Sequence, residues 1–174
     1  MFEHLNKLKF QEVNLYNKIL LLSRNKFLYT EFNLEDTFEN RINLIFFYSS
    51  FLIIKFKKID NNSTYKSFSQ KLFDHIFLKI EINLREIGFG DTKINKDLKK
   101  LIKIFYTILL DCENYNTKTI EMKKALIHRH LTFVNNNKSI NNEFLVNYFD
   151  KYQTFCLDLS PDSVLKGDIN FKFN

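Results

Sequence analysis

Four side chains in the middle of this 174-residue sequence are of types that move protons: His75, Glu81, Glu86 and Asp91. A carboxylate or imidazole with a tuned pKa can act as general acid or base. The spacing gives each a simpler task. Glu81 stands four residues before Arg85, the favourable order for an ion pair along a helix face. Asp91 follows Gly90 and precedes an apolar-periodic run, where Asp91 or Thr92 can cap the first free N–H groups of a helix. Glu86 and His75 read as ordinary, partly exposed polar residues. The sequence has no glycine-rich phosphate loop, no nucleophile elbow and no cluster of His and Glu at metal-ligand spacing. His128 and His130 are two residues apart, so on a helix they point to different sides and make a poor metal pair. No catalytic residue, metal or cofactor follows from these patterns, and the chain reads as a non-enzyme.

The second concentration of chemistry is cationic. Lys96, Lys99, Lys100 and Lys103 gather on one face of a helix, interrupted by Asp97. Such a run is either a solvated face or a docking strip with salt-sensitive attraction. A net charge of +6 and a pI near 9.2 permit nucleic-acid, ribosomal or anionic-lipid partners without demanding one. Phe, Ile, Asn and Lys are all abundant while Ala125 is the one alanine, a bias that AT-rich codons would produce. Total lysine is therefore uninformative, and the local strip alone counts.

The elements that must position these groups meet at Glu81–Asp91, which holds two of the three glycines. Gly88 follows the periodic apolar residue Ile87, where a left-handed residue closes a helix. Gly90 then lets the chain reverse. The helix before this turn, about Tyr65 to Ile87, puts Leu72, Phe73, Ile76, Phe77, Ile80, Leu84 and Ile87 on one face. Leu78 and Ile82 fall opposite, flanking Glu81 and Arg85, so a second layer or a partner must cover them. After the turn, Ile94, Leu98, Leu101, Ile102, Phe105, Ile108 and Leu109 repeat at helical spacing to about Asn114.

The longest uncharged run, Ile42 to Ile54, is shorter than the roughly twenty residues of a membrane span. It reads as a central core helix from Arg41 to about Lys57, opened by an Asp36 or Thr37 cap, with an interfacial segment or a strand, for which seventeen residues is long, as the alternatives. Further helices are expected over Val13–Asn25, from Thr117 or Thr119 to about Phe133, and over Asn141–Phe155. Loops are expected at Asp60–Ser63 and Asn135–Asn137. Ser160-Pro161-Asp162 should break the last helix, leaving an extended tail. The expectation is a single all-α domain over residues 1–174, a bundle of about six helices. Cys112 and Cys156 are isolated, so neither a disulfide nor a zinc site is expected, and a reducing compartment fits. No secretory or organelle-targeting peptide is evident.

Asn83-Leu84-Arg85-Glu86-Ile87-Gly88-Phe89-Gly90-Asp91, followed by Lys96, Lys99-Lys100 and Phe105-Tyr106, resembles the core of the ubiquinol–cytochrome c reductase chaperone family. That core reads Asn-Leu-Arg-Glu-Met-Gly-Val-Gly-Asp, then Lys-x-x-Lys-Lys, then Phe-Tyr, and the spacing agrees without a gap. Asp36-Thr37, Arg41 and Leu165-Lys166-Gly167 with Phe171 also match, so the likeness spans most of the chain from about residue 15. Departures are Tyr48 in place of a histidine, Thr107-Ile108 in place of Gly-Arg, and Asn40 and Asn43 where Gly and an acid are usual.

The resemblance implies a non-enzymatic assembly factor that holds newly made cytochrome b. It also implies a second small chaperone and the ribosome as further partners. A bacterial member would work in the cytoplasm at the inner-membrane face. Leu78 and Ile82 beside Arg85, with Phe89 held out between two glycines, are the expected protein-binding surface, with Arg41 and Tyr106 also in it. Glu86 and Asp91 are expected to order the turn. Lys96, Lys99 and Lys100 are expected to dock on ribosomal RNA, anionic lipid or an acidic partner. The alternatives are a basic helical nucleic-acid- or ribosome-binding domain, and an enzyme with an apolar substrate in a helical pocket.

Overall fold

A computed structural model describes residues 2–59, 63–134 and 141–173. These form α1 (Phe2–Ser23), α2 (Lys26–Thr30), α3 (Phe38–Ile59), α4 (Ser63–Glu86), α5 (Asp91–Cys112), α6 (Ile120–His130), α7 (Asn141–Asp158) and α8 (Pro161–Leu165), with a 3-10 turn at Tyr115–Thr117. The strand-like pairing among the described residues is an isolated bridge between Leu34 and Phe133. The protein is all-α. The loop residues expected at Asp60–Asn62 and Asn135–Asn137 lie outside the described residues, whereas Ser63 opens α4.

Residues 42–52 of α3 are buried without a break, as an apolar run on every side of a helix requires. α1, α4, α5, α7 and α8 pack around it. Phe46 lies between Phe77 of α4 and Phe105 of α5, at 5.6 and 5.2 Å. Phe47 meets Phe149 of α7 at 5.1 Å. Tyr48 is fully buried, and its hydroxyl shares a 2.7 Å hydrogen bond with that of Tyr148. Burial pushes both phenols up, Tyr148 to about 12. No helix of the described residues is long and apolar enough to cross a membrane.

Thr37, one of the two cap candidates, opens α3: its hydroxyl accepts from the Asn40 N–H at 3.2 Å. Asp36 instead takes the Arg41 guanidinium on both carboxylate oxygens, at 2.6 and 2.8 Å. That hydrogen bond holds the Asp36 carboxyl below its ordinary pKa. Two buried asparagines of α3 then fix the segment after α6. The Asn40 amide donates to the carbonyls of Glu35 and Thr132, both at 2.8 Å, and accepts from the Thr132 N–H at 2.9 Å. Asn43 donates to the His130 carbonyl at 2.7 Å.

Three differences from the sequence expectation have simple causes. α1 begins at Phe2, well before Val13, because Phe2, Leu5 and Leu8 carry the apolar spacing further back. α6 begins after Thr119, whose hydroxyl accepts from the Met122 N–H, and stops at His130. The tail starts with a helical turn, because Ser160 caps and Pro161 occupies the first helical position.

Beyond α8, Ile169 is buried, and Phe171 and Phe173 pack against Tyr148 at 5.5 and 5.0 Å. Gly167 makes this possible. It has φ +69°, and a Cβ there would sit 2.8 Å from the Leu15 backbone nitrogen. The amide of Asn14 donates to the adjacent Lys166 carbonyl at 3.0 Å.

The two left-handed glycines therefore differ in kind, because nothing stands within 4 Å of a Cβ built on Gly88. Gly88→Ser should cost about 1–2 kcal/mol, the backbone penalty alone. Gly167→Ala should cost about 2–4 kcal/mol, since overpacking against α1 adds to that penalty. Gly90→Ser should be neutral or stabilise by about 0.5 kcal/mol. Urea unfolding of the three variants checks the order, and equal costs at 88 and 167 would contradict the close approach. In the same assay Asn40→Ala should cost about 2–3 kcal/mol by orphaning buried backbone groups.

Candidate functional site

α4 and α5 are joined by four residues whose hydrogen bonds follow from Gly88. The Gly88 N–H donates to the Arg85 carbonyl at 2.9 Å and the Phe89 N–H to the Leu84 carbonyl at 3.2 Å. These two bonds are the Schellman closure of a helix, and it needs the φ of +95° that Gly88 supplies. Gly90 plays a different part from the one expected. Its φ of −75° and ψ of 158° are ordinary extended backbone, so Gly88 alone reverses the chain.

The closure also corrects the placing of Phe89. In this motif the residue after the glycine turns back towards the last helical turn. Phe89 is half-buried against the core beside buried Leu84, with the Lys93 ammonium 4.4 Å from its ring centre. It is not held out between the glycines.

Asp91 is the first residue of α5, and no side chain caps that helix. Its carboxylate accepts from Arg85 Nη1 at 2.6 Å instead. An ionised donor within reach makes a stronger bond than a backbone amide, so the arginine wins the competition. Arg85 Nε and Nη2 donate to Glu81 Oε1 at 3.1 and 2.8 Å. One guanidinium thus ties the last two turns of α4 to the start of α5. The hydrogen bond to Glu81, then that to Asp91, raises the Arg85 pKa further above neutrality.

The four acid–base candidates are not gathered in one place. Glu81 and Asp91 hold Arg85, and Glu86 is exposed at the end of α4. The His75 ring meets Tyr16 edge-on at 5.1 Å, and burial, with nearby Lys79, lowers its pKa. None of the four lines either cleft described below or at the tail. His128 and His130 diverge: the first lies against Phe133, and His130 Nε2 hydrogen-bonds Asp111 at 2.8 Å.

The face of α4 away from the core is the notable surface. Leu78 is 52% exposed and Ile82 38% exposed. Leu78, Ile82, Arg85 and Glu86 follow the i, i+4, i+7, i+8 spacing of one helix face. Ile87, expected on the core side, is 59% exposed, because α4 has ended at Glu86 and the closure carries it outward. Three apolar side chains therefore stand in solvent around the Arg85 bridge.

On α5, Lys96, Lys99, Lys100 and Lys103 are all exposed and form no ion pair among the described residues. Asp97, which interrupts the run, is held by Lys93 at 3.0 Å. Tyr106 is half-exposed, its ring against Phe73 and Phe105 at 5.9 and 5.6 Å. Arg41 joins none of this, since its guanidinium is taken up by Asp36.

Sequence reading missed one feature, a cleft of about 280 Å³ between α3, α4 and α5. Ile53, Phe56, Phe73, Phe105, Tyr106 and Leu109 form much of its wall, and Lys57 and Lys66 also line it. Tyr106 apart, the apolar wall residues read as ordinary core. The one available signal was Ser69, a short side chain four residues before Phe73, where the spacing of Phe73 and Phe77 calls for a large one.

A family model described as "Ubiquinol-cytochrome C chaperone" matches residues 30–170. The fold is similar to that of the Cbp3 homologue from Brucella abortus, whose crystal structure superposes with a TM-score of 0.81. That alignment covers 99% of this chain and 97% of the other at 21% identity, a likeness of fold. No curated protein matches the sequence. The family model takes in α3 to α8, with the Arg85 bridge, the glycine closure and the lysine face, and on that match the chain belongs to the ubiquinol–cytochrome C chaperone family.

Proposed function

We propose that the chain, acting as one domain, is a non-enzymatic assembly factor that holds newly made cytochrome b during building of the ubiquinol–cytochrome c reductase. The observation that carries this reading is the uncovered apolar face of α4. Leu78, Ile82 and Ile87 stand in solvent on a rigid helix end, rimmed by Arg85 and Glu86. A membrane protein waiting for its cofactors exposes apolar helices, and an apolar patch with a charged rim can cover one of them reversibly. Arg85, pinned at both sides of the turn, keeps the patch in one shape and so limits the entropy lost on binding.

The lysine face of α5 serves to dock the chaperone on an anionic surface close to where the client emerges, at the cytoplasmic side of the inner membrane. The four lysines, which form no ion pair among the described residues, supply the attraction. Half-exposed Tyr106 belongs to the wider interface, whereas Arg41, held by Asp36, is left out of it.

A second reading is favoured by the lysine face alone: a basic domain that binds ribosomal or other RNA. Four lysines releasing counterions predict a log–log salt slope of about −3 on single-stranded RNA.

A photoreactive residue at Ile82, introduced into growing cells, should capture cytochrome b while it is being made. The same probe at exposed Thr154 on α7 should not. Leu78→Ser with Ile82→Ser should lower assembled reductase severalfold while shifting unfolding by no more than about 1 kcal/mol in total. Normal assembly of the reductase in cells lacking the protein would end the chaperone reading. RNA binding with the slope above, together with normal assembly, would favour the second.

A further inference from the structure

The cleft between α3, α4 and α5 lies apart from the α4 patch, with Tyr106 at its wall shared with the wider interface. We propose that it takes the acyl chain of an anionic membrane lipid, while the lysines of α5 rest among the surrounding head groups. The walls come from three helices whose interior N–H and C=O groups are already paired along each helix. An extended peptide in the cleft would bury amides with no partner there, a cost that a hydrocarbon chain does not bring.

Charge favours an anion. The ionised groups lining the cleft are Lys57 and Lys66, both exposed. Lys57 is already matched by Glu113 at 2.7 Å, so the positive charge at the lining comes from Lys66, which has no ion pair among the described residues. On α5, Lys99 and Lys103 stand seven and three residues before Tyr106, so they share the face that leads to the cleft mouth. Asp74 on α4 is occupied by the Gln70 amide at 2.8 Å, and Asp97 by Lys93. The inference rests on the lysine face being an anionic dock and adds to it a place for one chain.

The test uses the full chain and vesicles of phosphatidylcholine with or without phosphatidylglycerol. The phosphatidylglycerol carries a photoreactive group in mid-chain. Sedimentation should show binding to the anionic vesicles, weakened roughly thirtyfold by Lys99→Ala with Lys103→Ala. After irradiation, label should appear on the peptides holding Tyr65–Phe73 and Phe105–Leu109. Ser69→Trp, which fills the cleft, should remove the label and leave vesicle binding nearly unchanged. Tyr106→Ala, which opens one wall at a half-exposed side chain packed on Phe73 and Phe105, should also reduce it. Vesicle binding without label in these peptides would overturn the acyl site and leave the lysine dock standing. Equal labelling from a neutral photoreactive lipid would overturn the preference for an anion. Absence of vesicle binding, with RNA bound through the same lysines, would overturn both.

Discussion

One constraint shapes this protein: α3 is apolar on every side and must be walled in. An ordinary amphipathic helix buries a stripe and leaves a face for solvent. Residues 42–52 of α3 leave none, so α1, α4, α5, α7 and α8 are recruited around it. That sealed stretch of the central helix presents nothing to a partner, and only its C-terminal end, with Ile53 and Phe56, reaches a cleft. Whatever the protein binds must meet the outer faces of the enclosing helices or the gaps between them. The α4 patch and the α5 lysines are such outer faces, and the α3–α4–α5 cleft is such a gap.

What was legible in the sequence follows from that constraint. The uninterrupted run after Arg41 was too long for a strand and too short for a membrane span, which favoured a central helix, and the periodicities around Gly88 gave α4 and α5 to within a few residues. Leu78 and Ile82 were readable as outward because they oppose the buried stripe of Leu72, Ile76 and Ile80. The details of the turn were not. Whether Asp91 caps its helix or holds Arg85 depends on which donor the folded chain brings nearer, and spacing carries no record of that competition. Phe89 likewise follows the helix closure inward, against the simple idea that a residue between glycines stands free. The cleft was hard to see because its walls come from three successive helices whose packing, with only the short Ser69 as a hint, is set by the fold.

The departures from the family pattern fall mostly inside. Tyr48 packs edge-on against Tyr152 at 4.9 Å as well as bonding Tyr148, and Ile108 is fully buried. Asn40 and Asn43 are buried ties to the segment after α6. Thr107 is exposed and turns its hydroxyl back to the Lys103 carbonyl at 2.9 Å. Changes of this kind alter how the bundle is packed and leave the outer α4 face and the lysine positions as they are.

Cys112 and Cys156 are both free and both buried, one closing α5 and the other late in α7. Burial pushes the Cys112 thiol well above its usual range and that of Cys156 to about 12. A thiol that is neither ionised nor reachable does not meet alkylating reagents. Each becomes reactive only when its helix lifts from the core, so the two alkylation rates time the opening of two different edges of the bundle. An added surface cysteine would be distinguishable from both by speed alone.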